Sequence, residues 1–172
     1  GLAAAVAARM LADRVGPGRG EDSFMAGLLH DIGRVALVAQ MGREYQVTIA
    51  DPAQRDGISL HDMEAQVLGF DHRVLGSALM ASWELPPFLL HVVERHHDRE
   101  IVPEQDFHVA AVALADSLAT RMGFNIALDA PRPALPGLAA SFGLADEDAV
   151  AEFLELCLAR FKILSAVLVA RS

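Results

Sequence analysis

The chain has 172 residues, 53% apolar and 22% charged, which is ample for a packed core and excludes wholesale disorder. Fourteen basic residues against 23 acidic ones leave a net charge of −9, a balance that repels phosphate backbones and argues against a nucleic-acid partner. The single cysteine, Cys157, excludes an internal disulfide and a thiolate metal cluster, and no apolar run is long enough for membrane insertion, so a cytoplasmic location is expected.

In chain order, the Ala-rich stretch Leu2 to Val15 reads as a helix stopped by Gly16-Pro17-Gly18. A second helix is expected from near Asp22 or Ser23 to about Met41, with Phe24, Leu28, Val35 and Val38 on its apolar stripe. Arg43 to Ala50 follows as a short helix halted by Asp51-Pro52. Ser59 with Asp62 resembles an N-terminal cap for a helix ending near Gly69, and Asp71 caps the next, from about His72 to Trp83. Leu85-Pro86-Pro87 then starts a helix from Phe88 to about His97. A polar connection leads to a long helix from Phe107 to about Met122. The stretch Asn125 to Pro136, with three prolines, reads as a loop or linker, and Asp146 caps a final helix from Glu147 to Ala170. Strand-like alternation is absent, so the fold class is all-α, a compact multi-helix bundle. The expected division is a helical core over residues 1–122, with 123–172 forming a loop and a C-terminal helix packed on it.

Chemistry must come from the seven histidines and the carboxylates near them. His30-Asp31 lies among large apolar side chains, and His96-His97 ends a helix whose other face is apolar. Asp116 sits in the apolar run Val112 to Ala119. Polar groups so placed are costly unless paired or bound to metal. Imidazole and carboxylate together suit Fe, Mn, Zn or Ni. Neighbouring residues on one helix point about 100° apart, so His30 and Asp31 need opposing ligands from another helix. His72, His96, His97 and Asp116 are the candidates. The bland alternative is that each histidine is simply hydrogen-bonded, and His61, His91 and His108 are assigned to surface or structural roles. Glu64 and Trp83 are read as fold-defining, the first a cap or buried pairing, the second a core anchor; Gly69 and Gly76 suit a helix end and close packing.

The segment Phe24-Met-Ala-Gly-Leu-Leu-His-Asp-Ile-Gly-Arg34 resembles the signature of the HD superfamily, all-helical metal-dependent phosphohydrolases. Glu64, Gly69-Phe-Asp-His72, Gly76, Trp83-Glu-Leu-Pro86 and His96-His97, taken in order, resemble the HDOD branch, HD-related output domains of bacterial signalling proteins. The resemblance runs from residue 1 to about 122. It implies a metal-ligand set of His30, Asp31, His72, His96, His97 and Asp116 holding one or two divalent ions. Asp31 would bridge them, and a water between them would be the nucleophile on a phosphoester. Arg34 and Arg73 are the candidates for binding substrate phosphate. Three departures stand out. The usual N-terminal HDOD subdomain is lacking, the position of a further HD-type histidine falls at or just before Gly1, and the Gly-Tyr-Pro motif of the related cyclic di-GMP phosphodiesterases is replaced by Asp-Arg-Glu-Ile after His97.

The reading is therefore an HDOD-like signal-transduction output and interaction domain that binds divalent metal without turnover. The alternative is a metal-dependent phosphohydrolase or phosphodiesterase, and a third reading is a helical scaffold with no metal. Expected partners are other signalling proteins or domains and a nucleotide or phosphoester ligand. The leucine-rich final helix (Leu154, Leu156, Leu158, Leu164, Leu168) is a candidate homodimer surface.

Overall fold

Alanine governs the first helix. In the computed structural model, which describes residues 1–124 and 135–170, α1 (Leu2–Val15) buries Ala3, Ala4, Ala5, Val6, Ala7, Ala8, Leu11 and Ala12. A helix buried around so much of its girth needs small side chains, because they let neighbouring backbones approach closely. Gly27 on α2 (Gly20–Leu29) supplies the closest approach: a Cβ there would lie 2.9 Å from the Ala5 Cα.

The chain continues through α3 (Ile32–Met41), α4 (Arg43–Tyr45), a π-helical turn (Gln46–Ala50), α5 (Asp51–Asp56), α6 (Leu60–Leu68), α7 (His72–Ser82) and α8 (Pro87–Arg95). The remaining elements are α9 (Phe107–Arg121), α10 (Leu135–Ser141) and α11 (Glu147–Val169). Among the described residues there is no strand, as the all-α reading expects, and no helix is long and apolar enough to cross a membrane.

The described residues form two compact units. The first comprises residues 1–28, 98–124 and 135–170. Its core joins α1 to α9, whose buried face runs from Val109 to Ala115 with Leu118 and Ala119. Val150, Phe153 and Cys157 of α11 complete it. Arg14 closes the far end of α10 by donating to the carbonyls of Phe142 (3.4 Å) and Gly143 (3.2 Å). The second unit comprises residues 29–97, with an apolar core of Leu37, Tyr45, Ile49, Ala50, Ala53, Leu60 and Met63.

Sequence signals set several boundaries. Ser59 Oγ accepts from the Asp62 amide (3.2 Å), Asp71 Oδ1 from the amides of Arg73 (2.9 Å) and Val74 (3.4 Å), and Asp146 Oδ1 from that of Ala149 (2.8 Å). Each satisfies orphan donors of a helix first turn. Gly69 ends α6 in the left-handed region, at φ 81°. Gly76 lets α8 approach α7, since a Cβ there would stand 2.8 Å from Val93 Cγ1.

Three expectations fail, and a fourth is met by described residues only at its end. The helix expected from about 22 to 41 is two helices, broken at His30-Asp31. Asp51-Pro52 does not halt the chain, because the wide π turn precedes it and Pro52 falls in a first helical turn, where no amide hydrogen is required. Trp83 is no core anchor: it caps α7 through its backbone and is 53% exposed. The stretch read as loop from Asn125 to Pro136 lies outside the described residues over 125–134, while residues 135 and 136 already belong to α10.

Candidate metal centre

The second unit carries an unusual load of buried polar side chains: His30, Arg34, Glu64, Asp71, His72, His96 and His97. Several come from helix ends. Asp31 occupies the N-cap position of α3, His72 is the first residue of α7, and His96 and His97 directly follow α8. The break at His30-Asp31 removes the angular conflict that a continuous helix would impose. It accompanies a backbone contact: a Cβ on Gly33 would lie 2.6 Å from the Gly76 amide nitrogen and collide with the His72 carbonyl. Only glycine permits α3 and α7 to meet that closely.

Hydrogen bonds fix which nitrogen of each ring faces inward. His72 Nδ1 stands 2.6 Å from Glu64 Oε2 and 3.1 Å from Arg34 Nη2. A guanidinium only donates and a carboxylate only accepts, so the shorter contact puts the proton on Nδ1, donated to Glu64. His96 Nδ1 donates to the Val93 carbonyl (2.9 Å). In the neutral form of either ring Nε2 is then the lone-pair nitrogen. The two Nε2 atoms lie 3.4 Å apart, and Asp31 Oδ1 lies 3.3 Å from His72 Nε2 and 3.9 Å from His96 Nε2. Three acceptors thus face one another.

Such a group calls for a cation. Donors bound at about 2.1 Å around a tetrahedral ion stand about 3.4 Å apart, close to the spacings here. Asp31, His72, His96 and His97 each offer a ligand-type atom, all within 4.8 Å of one another. The donor set of imidazole nitrogen and carboxylate oxygen fits a borderline divalent metal.

A second layer holds this group. Glu64, fully buried, accepts from Tyr45 Oη (2.6 Å), Arg34 Nε (3.2 Å), the His72 amide (2.9 Å) and His72 Nδ1. Burial opposes ionisation of Glu64, but hydrogen bonding and charge from His72, with the charge of Arg34, outweigh it and bring its pKa down to about 2. Burial and the Glu64 carboxylate push Tyr45 the other way, far above its ordinary range. Burial also opposes ionisation of Asp31, yet the charges of His30 and Arg34 hold it well below the usual carboxylate range. Arg34 Nη1 donates to both oxygens of Asp31 at 3.1 Å.

The other candidates are placed as follows. His30 is buried, its Nε2 3.3 Å from Asp31 Oδ2 and its ring edge-on to His96 at 5.0 Å. Arg73 directs Nε and Nη2 to Asp71 Oδ2, at 2.8 and 2.6 Å. Asp116 belongs to the first unit, half-buried on α9. Two features escape a sequence reading. The Glu64–Tyr45–Arg34 network depends on a left-handed turn at Gly69 that brings a carboxylate of α6 to the start of α7. His61, assigned to a surface or structural role, stacks on His97 with ring centres 4.4 Å apart.

A family model described as HDOD domain matches residues 1–99. A Geobacter sulfurreducens HDOD domain protein of unknown function shares the fold with TM-score 0.72 and 26% identity, over 94% of this chain and 58% of that one. A Shewanella amazonensis SB2B protein that carries the provisional name phosphohydrolase superposes with TM-score 0.65 at 23% identity, over 91% of this chain and 56% of that one. An uncharacterized protein of Treponema pallidum (strain Nichols) is 26% identical over 84 residues, which is 49% of this chain and 16% of that protein. The chain therefore spans little more than half the length of the solved relatives.

Proposed function

The chain belongs to the HDOD family, and from that premise we propose that it is a signal-transduction output and interaction domain that holds a divalent metal ion without turning over a substrate. The observation that carries the metal half of this reading is the convergence of two lone-pair imidazole nitrogens on the Asp31 carboxylate. Asp31, His72, His96 and His97 hold the ion. Fe, Mn, Zn and Ni all suit the donors. Bound there, the ion supplies a fixed positive charge and Lewis acidity.

The chain's own residues do the orienting. Glu64 holds the proton on His72 Nδ1, the Val93 carbonyl holds that on His96 Nδ1, and Arg34 steadies Asp31. Absence of turnover is supported by where the guanidinium groups go. Arg34 and Arg73, the candidates for binding substrate phosphate, direct their donors to Asp31, Glu64 and Asp71. The partners of such a domain are other signalling proteins in the cytoplasm, with the exposed side of α11, including Ile163 and Leu168, as a self-association surface.

The second reading, a metal-dependent phosphohydrolase, is favoured by one observation: buried His30 stands 3.3 Å from Asp31 Oδ2, the oxygen other than the one nearest His72 and His96.

The test is elemental analysis of the protein purified without chelator or affinity metal, beside Asp31→Ala, with bis(p-nitrophenyl) phosphate as a generic phosphodiester. Metal retained by the wild type, lost in the variant, and no hydrolysis is the expected result. Metal-dependent hydrolysis that Asp31→Ala abolishes would establish the second reading instead. A well-folded wild type that binds no metal overturns both.

A further inference from the structure

Helix α6 reaches the cluster twice. Glu64 orients His72, and His61, three residues earlier and so on the same side of the helix, lies against His97. The two imidazoles are stacked, with ring centres 4.4 Å apart and planes 20° from parallel. His97 also meets His96, tilted at 4.1 Å, and His72, edge-on at 5.1 Å. Those two share with Asp31 and His97 the group of converging ligand-type atoms, and His61 stands outside it.

The geometry separates support from ligation. A neutral imidazole binds metal through a ring nitrogen, whose lone pair lies in the plane of the ring. An ion bound by His97 therefore sits in the plane of His97 and well off the near-parallel plane of His61. The supporting ring is itself restrained at the start of α6: its Nε2 stands 3.4 Å from Ser59 Oγ and 3.7 Å from Asp62 Oδ1. His97 lies just past the end of α8. A ring anchored at one helix start thus backs a ligand that follows another helix end.

We propose that His61 is a positioning residue of the metal centre, its ring stacked on His97 so as to hold that imidazole at the angle ligation requires. The inference rests on the metal-binding reading above. What His61 supplies is a flat face rather than a nitrogen, since stacked rings hold defined geometries. Losing an outer partner of a metal-bound histidine typically weakens metal binding by about 10- to 100-fold. A stack, softer than the hydrogen bonds behind that range, belongs at its lower end.

The experiment is a cobalt(II) titration of the chelator-stripped full chain, read by visible absorption. It compares the wild type with His61→Ala, His61→Phe, His97→Ala and the His61→Ala/His97→Ala double variant. His61→Ala is expected to bind cobalt about tenfold more weakly, and His61→Phe, which keeps a flat ring, to stay within about threefold of the wild type. In the His97→Ala background, removing His61 is expected to change nothing further, because its effect runs through that ring. His61→Ala that binds like the wild type, His61→Phe that binds as weakly as His61→Ala, or losses that simply add in the double variant overturn the inference and leave the metal reading standing. No cobalt bound by the wild type overturns the metal reading and this inference together. Should His61→Ala fail to fold, His61→Leu, apolar but without a ring face, replaces it in the same comparison. Should His97→Ala bind no cobalt, the variants at position 61 decide alone.

Discussion

The two units solve the packing problem in opposite ways. The first is held by small apolar side chains: alanines line the buried faces of α1 and α9, and Ser23 is the one buried polar residue among those described there. The second has an ordinary apolar core on one side and, beside it, a cluster of buried arginine, carboxylates and imidazoles. A core of the first kind carries little desolvation cost from buried charge. The second kind carries desolvation costs that are offset only while every partner is present. Among the described residues the buried charged and imidazole side chains all lie within residues 29–97, which is where chemistry should be sought.

The largest effect expected from a single change is at the glycine contact beneath the cluster. Gly33→Ala forces a Cβ into the backbone of α7, against both the His72 carbonyl and the Gly76 amide. Neither can retreat without moving the helix that starts with His72, so a loss of more than about 3 kcal/mol is expected in urea unfolding. Gly27→Ala makes the comparable change in the first unit, where the new Cβ would lie 2.9 Å from the Ala5 Cα and 3.1 Å from the Ala4 carbonyl oxygen. A smaller loss, about 1–3 kcal/mol, is expected there. If Gly27→Ala proved the more damaging, the view that the polar unit is the less forgiving one would fall.

The second effect sharpens the contrast through pH. Glu64 ionises at about 2 rather than its ordinary 4.5. A carboxyl group lowered on folding stabilises the protein at any pH above the unfolded value, and that contribution is lost as pH falls through the folded one. The shift corresponds to about 3 kcal/mol. In metal-free buffer the stability difference between wild type and Glu64→Gln should be full at pH 6. It should shrink between about pH 4.5 and pH 2. A difference that stays constant over that window would show that Glu64 contributes by packing rather than by charge.

How far the sequence carries depends on whether the cause is local. Ser59, Asp71 and Asp146 were legible as caps because a cap is a contact between residues two or three apart. The six ligand-type residues were legible as residue types. The meeting of Asp31, His72, His96 and His97 was not, since it depends on where α3, α7 and α8 end relative to one another. The break at His30-Asp31 was hidden because the apolar stripe continues through it, and its reason is the fit of Gly33 against α7, 39 or more residues along the chain. The turn after α10 is likewise held from a distance, since Arg14 donates to the Phe142 and Gly143 carbonyls, 128 and 129 residues along the chain. Glu64 was legible as a cap or a buried pairing, but its partners Tyr45, Arg34 and His72 were not, because only the fold brings their elements together.

The smallest effect concerns Trp83, the residue for which size and motif position were most misleading. With its side chain more than half exposed, Trp83 leaves the turn after α7 to be closed by backbone alone. The Trp83 amide donates to the Leu79 carbonyl, that of Glu84 to Ala81, and that of Leu85 to Met80, each at 3.1 Å. An alanine keeps all three bonds. Glu84, which adopts φ 54°, is unusual for a residue with a side chain, and its conformation is held by the same bonds rather than by the indole. Trp83→Ala is therefore expected to cost less than about 1 kcal/mol in unfolding. If the loss instead approached the 3–5 kcal/mol typical of a buried aromatic, Trp83 would be packed into the second unit after all. Retained stability would leave the indole as an exposed aromatic on a rigid turn of the polar unit, a feature whose value lies in what it meets outside the chain.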